Sequence, residues 1–175
     1  MALIPTRLLI LQRLQALLEG ITDLGNGETI DLSKSVYRGR ILLGAEVSTP
    51  CLSILEAARP DASVDMRGDF DEWRAEGWTL LLQGMIADDP FNPTDRAYWL
   101  QAAVEKRLSR IVADNDFATP AWPENFMLGN LINKFEIGPP VVRPPEDKVS
   151  ATGFFFQPVR VGISGRIDEP YTTVP

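Results

Sequence analysis

Between Trp78 and Ile111 the spacing of the apolar residues changes once, and that change restricts what the chain can fold into. Trp78, Leu80, Leu82 and Ile86 share one parity while Thr79, Gln83 and Ala87 share the other. An extended backbone with that pattern has one strongly apolar face, which predicts a central strand. After DDPFNPTD the apolar positions become Ala97, Leu100, Val104, Leu108 and Ile111, with Arg96, Glu105, Lys106 and Arg110 mostly off that stripe. Those steps predict an amphipathic helix of about five turns.

The remaining elements are shorter. From about Thr6 to Ile21, Leu11, Leu14, Leu18 and Ile21 recur at helical steps, and Gly20 with LGNGE at 24–28 supplies stop and turn chemistry. Arg7, Gln12, Arg13, Gln15 and Glu19 interrupt this segment and no small-residue cleavage site follows it, so it reads as an amphipathic helix, not a signal or membrane span. SVYRGRILL (35–43) and CLSILE (51–56) predict two strands joined by a loop. Residues 57–77 are acidic and broken by Pro60 and Gly68, which predicts an exposed, mobile loop.

Leu131–Ile137 predicts a strand, and prolines 139, 140, 144 and 145 impose extended backbone. Ala151–Gly165 predicts a last strand with Val159, Val161 and Ile163 on one parity and Pro158 at an edge or bulge. The polar tail at 166–175 is expected to dock only against a partner. There is no internal repeat, so residues 1–175 are read as a single domain.

The 175 residues contain no histidine. That removes Ser-His-Asp and Cys-His devices and HExxH zinc sites, leaving carboxylate chemistry, a perturbed lysine, or Mg and Ca held by Asp and Glu. One cysteine, Cys51, allows no intramolecular disulfide and reads as a small buried hydrophobe; a reduced place of synthesis fits. A formal charge of -7 makes the surface as a whole repel polyphosphate. A local basic patch remains open, because Arg38, Arg40, Arg143, Arg160 and Arg166 fall in predicted strands or strand ends.

Asp88, Asp89 and Asp95 are the candidates for a metal site or an acid pair in a carboxylate- or metal-dependent hydrolase. A structural role is more economical. Asn92 is a favoured N-cap type, Pro93 suits the first helical position, and Asp95 then meets free N–H groups at the third. The expectation is therefore no catalytic, metal or cofactor residue and no enzyme. Alternating strand geometry puts Arg38 and Arg40 on one face with Tyr37 and Gly39 on the other, and VVRPP adds Arg143 in extended backbone. Arg38, Arg40 and Arg143 are candidate contacts for an acidic protein surface. Phe70 and Trp73 are the apolar anchors of the acidic loop.

The phrases VYRGRILLGAEVSTPCLSILE, GWTLLLQGMIADDPFNPTDRAYWLQAAVEKRL and IGPPVVRPPEDKVSATGFFFQPVRV resemble tail terminator (tail completion) proteins of long-tailed bacteriophages, over about residues 5–165. The resemblance implies an α+β fold, a mixed or antiparallel sheet packed on one side by an N-terminal and a central helix. It implies a structural virion role: a hexameric ring that caps the head-proximal end of the tail tube and stops its polymerisation. The implied partners are other copies of the chain, the tail tube protein and the head-tail connector protein. DNA would pass through the lumen without specific binding, no membrane would be involved, and the ring would be made in the host cytoplasm. A different head-tail connector, neck or minor tail protein is the alternative within the virion.

Overall fold

A computed structural model of the protein describes residues 2–41, 47–56, 73–112, 122–145, 151–166 and 168–174. In chain order these form β1 (Ala2–Pro5), α1 (Thr6–Glu19), β2 (Val36–Arg38), β3 (Cys51–Glu56), β4 (Trp73–Ala87) and α2 (Asp95–Leu108). A 3-10 turn (Ser109–Ile111) and a single helical turn (Met127–Asn130) follow, then β5 (Lys134–Ile137), β6 (Val141–Arg143), β7 (Thr152–Arg166) and β8 (Tyr171–Val174).

The fold is α+β. Strands β4 and β7 are antiparallel over 15 residues each, from Trp73 opposite Arg166 to Ala87 opposite Thr152. They form the centre of a six-stranded mixed sheet ordered β2-β3-β4-β7-β5, with β6 also on β7; only β2 and β3 are parallel. The parity read from the sequence holds in β4, where Trp78, Leu80, Leu82 and Ile86 are buried. Phe155, Val159 and Val161 of β7 join them, and α1 and α2 close the same face with Ile10, Leu14, Leu18, Leu100, Val104 and Leu108. Each such side chain contributes about 1.5–3 kcal/mol when fully buried, which makes this one-sided layer the main source of stability.

Several expectations need correction. In α1 the buried residues are Leu9, Ile10, Leu14, Leu17 and Leu18, while Leu11 is only half-buried. The helix touches α2, β2 and the 127–130 turn, so its covered arc is wider than one stripe. Strand β2 is three residues long because Gly39 takes φ +70, a left-handed conformation that ends the extended run; residues 42–46 lie outside the described ones. Trp73–Gly77, expected in the loop, pair with Gly162–Arg166, so the ladder of β7 extends further than the apolar pattern of β4 indicates. Residues 57–72 of that expected loop, Phe70 included, lie outside the described residues.

Pro158 sits in the central strand, not at an edge. Its carbonyl accepts the Gly138 N–H (2.8 Å), so its missing N–H faces the same side, where β5 has ended and β6 has not begun. No ladder bond is lost there. The tail is also placed differently. Tyr171–Val174 pair antiparallel with Pro5–Ala2 of the same chain, and the Pro170 carbonyl accepts the Thr6 N–H at the start of α1 (2.9 Å). That bond satisfies one of the first-turn donors a helix leaves free, in the absence of a side-chain cap at Pro5.

Beyond α2 the chain makes an unusual turn. Met127, Leu128, Gly129 and Asn130 all have positive φ (46, 53, 72 and 62°), one left-handed helical turn. For residues with a Cβ this costs roughly 1–2 kcal/mol each, and burial of Leu128 in the core offsets part of it.

Candidate functional site

The three aspartates do not converge. Asp89 accepts the N–H groups of Phe91 (2.8 Å) and Asn92 (3.0 Å) through Oδ1, and those two bonds, Asn92 first, hold its carboxyl below the usual carboxylate range. Asp88 donates its backbone N–H to the Ala151 carbonyl (3.0 Å), and Asp95 lies exposed in the first turn of α2. Asn92 is not the N-cap. Thr94 occupies that place without a side-chain cap bond, and the Asp95 N–H goes to the Asn92 carbonyl (3.0 Å), because Pro93 and Thr94 form a preceding turn. Among the described residues no group of three His, Cys, Asp or Glu side chains is placed to hold a metal ion. What the Asp89 turn does present is Phe91, 91% exposed.

The arginines also separate. Arg38 lies opposite Ile54, on the face that carries the helices, at the sheet edge. Arg40 follows the bend at Gly39 and stacks over the Tyr37 ring at 5.0 Å, while its carbonyl accepts the Ser53 hydroxyl (2.7 Å). The two are therefore not on one strand face, and the reason is the positive φ at Gly39. Arg143 is exposed in β6 opposite Phe154. Trp73 begins β4, opposite Arg166.

The register defines a second sheet face, on which none of the described helices packs. Because Phe155 points into the helix-covered core, Phe154 and Phe156 point away from it. Met85 and Cys51 share the row of Phe154 and Arg143; Gln83 and Ser53 share the row of Phe156 and Val141; Leu81 and Leu55 share the row of Pro158. Most of these apolar residues are half-buried, and Val141 is 49% exposed. Cys51 and Ser53 are fully buried, and burial pushes the Cys51 thiol up to about 11, against the opposing pull of Arg40. Cations ring the patch: Arg40 at the β2 side, Arg143 at the β6 side, and Arg160 and Lys134 towards the far end. Glu136, paired with Lys134 at 2.9 Å and near Arg160, is the acid among them.

Sequence reading missed this face although its signal was present. Phe154, Phe155 and Phe156 are consecutive aromatics, so β7 is apolar on both parities, and Leu81 and Met85 do the same for β4. Strands of that kind expect cover on both faces.

A groove of about 380 Å³ lies on the helical side, between residues 20–25 and α2, lined among others by Trp99, Lys106, Arg107, Arg110 and Trp122. Its two arginines have structural work: Arg107 Nε donates to the Leu17 carbonyl at the end of α1 (2.7 Å), and Arg110 stacks over Trp122 at 5.2 Å. No helix among the described residues is long and apolar enough to cross a membrane. No family model matches the chain, and the search of curated proteins finds no match.

Proposed function

We propose that the protein is a structural subunit of a bacteriophage tail, a tail-terminator-like protein that forms a hexameric ring on the head-proximal end of the tail tube. The ring stops tube growth and offers a joining surface to the head-tail connector. The resemblance of three long phrases is the starting point. The observation that carries the reading further is the one-sided packing of the sheet: two helices on one face, and on the other a half-buried apolar surface ringed by arginines. Surfaces of that composition suit protein contacts. A subunit needs two different surfaces to close a head-to-tail ring, and the fold has two distinct sides.

The test is a tube-assembly reaction with purified tail tube protein. Adding this chain is expected to arrest elongation and to leave a six-fold cap at one end in electron micrographs. Tubes that grow to unchanged length with no extra density at either end would refute the reading. A cap at the connector end of heads and none on tubes would favour a neck protein instead.

A further inference from the structure

We infer that the groove between residues 20–25 and α2 is a docking site for an acidic segment of a partner protein, one that sets an apolar side chain against Trp99 and Trp122 and a carboxylate beside Lys106 and Arg110. The inference does not depend on the ring reading.

The shape follows from the sequence of α2. Ala102 and Ala103 stand one turn after Trp99 and one turn before Lys106 and Arg107, so two small side chains leave a notch in the helix surface that faces residues 20–25. The notch holds about 380 Å³, near the lower end of ordinary ligand clefts at about 300–1,000 Å³, which admits a short segment and not a folded domain. Its arginines are positioned in advance. Arg107 Nε is bonded to the Leu17 carbonyl, and a Cβ at Gly20 would overlap the guanidinium, so the missing side chain lets Arg107 lie against the end of α1. Arg110 is held over the Trp122 ring. Groups fixed before binding lose little freedom on binding, and Trp and Arg are residue types that dominate the energetics of protein interfaces.

Charge selects the occupant. Lys106, Arg107 and Arg110 line the groove with one acid, Asp23, whose carboxylate accepts the Gly25 N–H (2.9 Å). Among the described residues none of these three cations forms an ion pair with a carboxylate. Burial first, and then the neighbouring Arg110 charge, lower the Arg107 pKa, with Glu124 opposing them. A carboxylate in the groove would relieve that repulsion. The apolar half of the occupant meets the tryptophans, of which Trp99 is 44% exposed. A nucleic-acid strand also offers anions and flat rings, but the formal charge of -7 repels a long polyphosphate as a whole, whereas a short acidic segment meets only the local cations.

The experiment selects binders of the full chain from a yeast-displayed library of short random peptides. Selected peptides are expected to carry Asp or Glu next to Leu, Ile, Phe or Trp. In the synthesised peptide, replacing that acid by its amide is expected to weaken binding at least about 10-fold in calorimetry. Lys106→Glu and, separately, Ala102→Trp, which fills the notch, are expected to weaken it as much; both positions are exposed, so the melting temperature should hold. A peptide with Lys in place of the acid should bind Lys106→Glu more tightly than it binds the parent, an outcome that a purely structural role for Lys106 does not produce. The docking site is overturned if no peptide is enriched, if the enriched peptides lack acids, if Lys106→Glu binds them like the parent, or if an oligothymidylate displaces them and binds more tightly. Parent chain that arrests tube growth but selects no peptide removes the docking site and leaves the ring reading standing; parent chain that selects acidic peptides and leaves tube growth unchanged supports the site and removes the ring reading.

Discussion

Asp89 and Phe91 divide the work in the loop before α2. The carboxylate holds the turn through two N–H groups, and the turn holds an aromatic ring in solvent. Asp89→Ala is expected to lower the melting temperature, whereas Asn92→Ala is expected to change it little, since Asn92 contributes a carbonyl that alanine also has. The folded pKa of Asp89 is depressed, so its contribution is present above the unfolded value near 4 and is lost as pH falls through the folded one. Acid titration of the melting temperature should therefore be shallower for Asp89→Asn than for the parent. Cys51 has the opposite sign. Its raised pKa, about 11 against an ordinary 9, supplies stability that is present below pH 9 and lost as pH rises through 11, and iodoacetamide should leave the folded protein unlabelled at pH 8. Phe91→Ser is expected to keep the melting temperature and reduce capping of tubes, read from tube length. The short-range features of Asp89 were legible only as a turn, because which carboxylate meets which N–H depends on where the helix starts, and Pro93 moved that start.

Elements were legible where a single period ran long enough to outvote local chemistry. Strand β3 has the expected bounds, and α2 buries Ala97, Leu100, Val104 and Leu108 as their spacing requires. The features that pair distant residues were not legible: the β8–β1 ribbon, the extension of β4 back to Trp73, and the gap between β5 and β6 that accommodates Pro158. Another such feature is the buried link between layers. Gln101 donates to Gln157 (2.9 Å), whose own amide donates to the Gly138 carbonyl. Gln157→Leu leaves Gln101 with one partner fewer in the core and is expected to cost about 1–3 kcal/mol, or roughly 2–4 °C of melting temperature per kcal/mol. Gly84 is required for a steric reason, since a Cβ there would overlap the Phe155 ring. Gly84→Ala is expected to cost about 1–3 kcal/mol in a denaturant melt with little change in slope.

At the scale of the molecule, one face of the sheet was written plainly in the parity of β4, and the other was hidden by reading only the stronger parity. Leu81, Met85, Phe154 and Phe156 lie between the predicted polar positions and are apolar themselves. Their packing partner therefore has to be sought outside the two-layer core. The ribbon of β1 and β8 carries a further consequence. It holds Ala2 and Val174 on adjacent strands, about 5 Å apart in the pairing direction. A circular permutant that joins Val174 to Ala2 through a short glycine linker and opens at the exposed turn around Asn26 should keep both layers and melt cooperatively. A reporter domain joined before Ala2 or after Val174 would emerge at the same point of this ribbon, so the choice of junction would not change which side of the molecule it decorates.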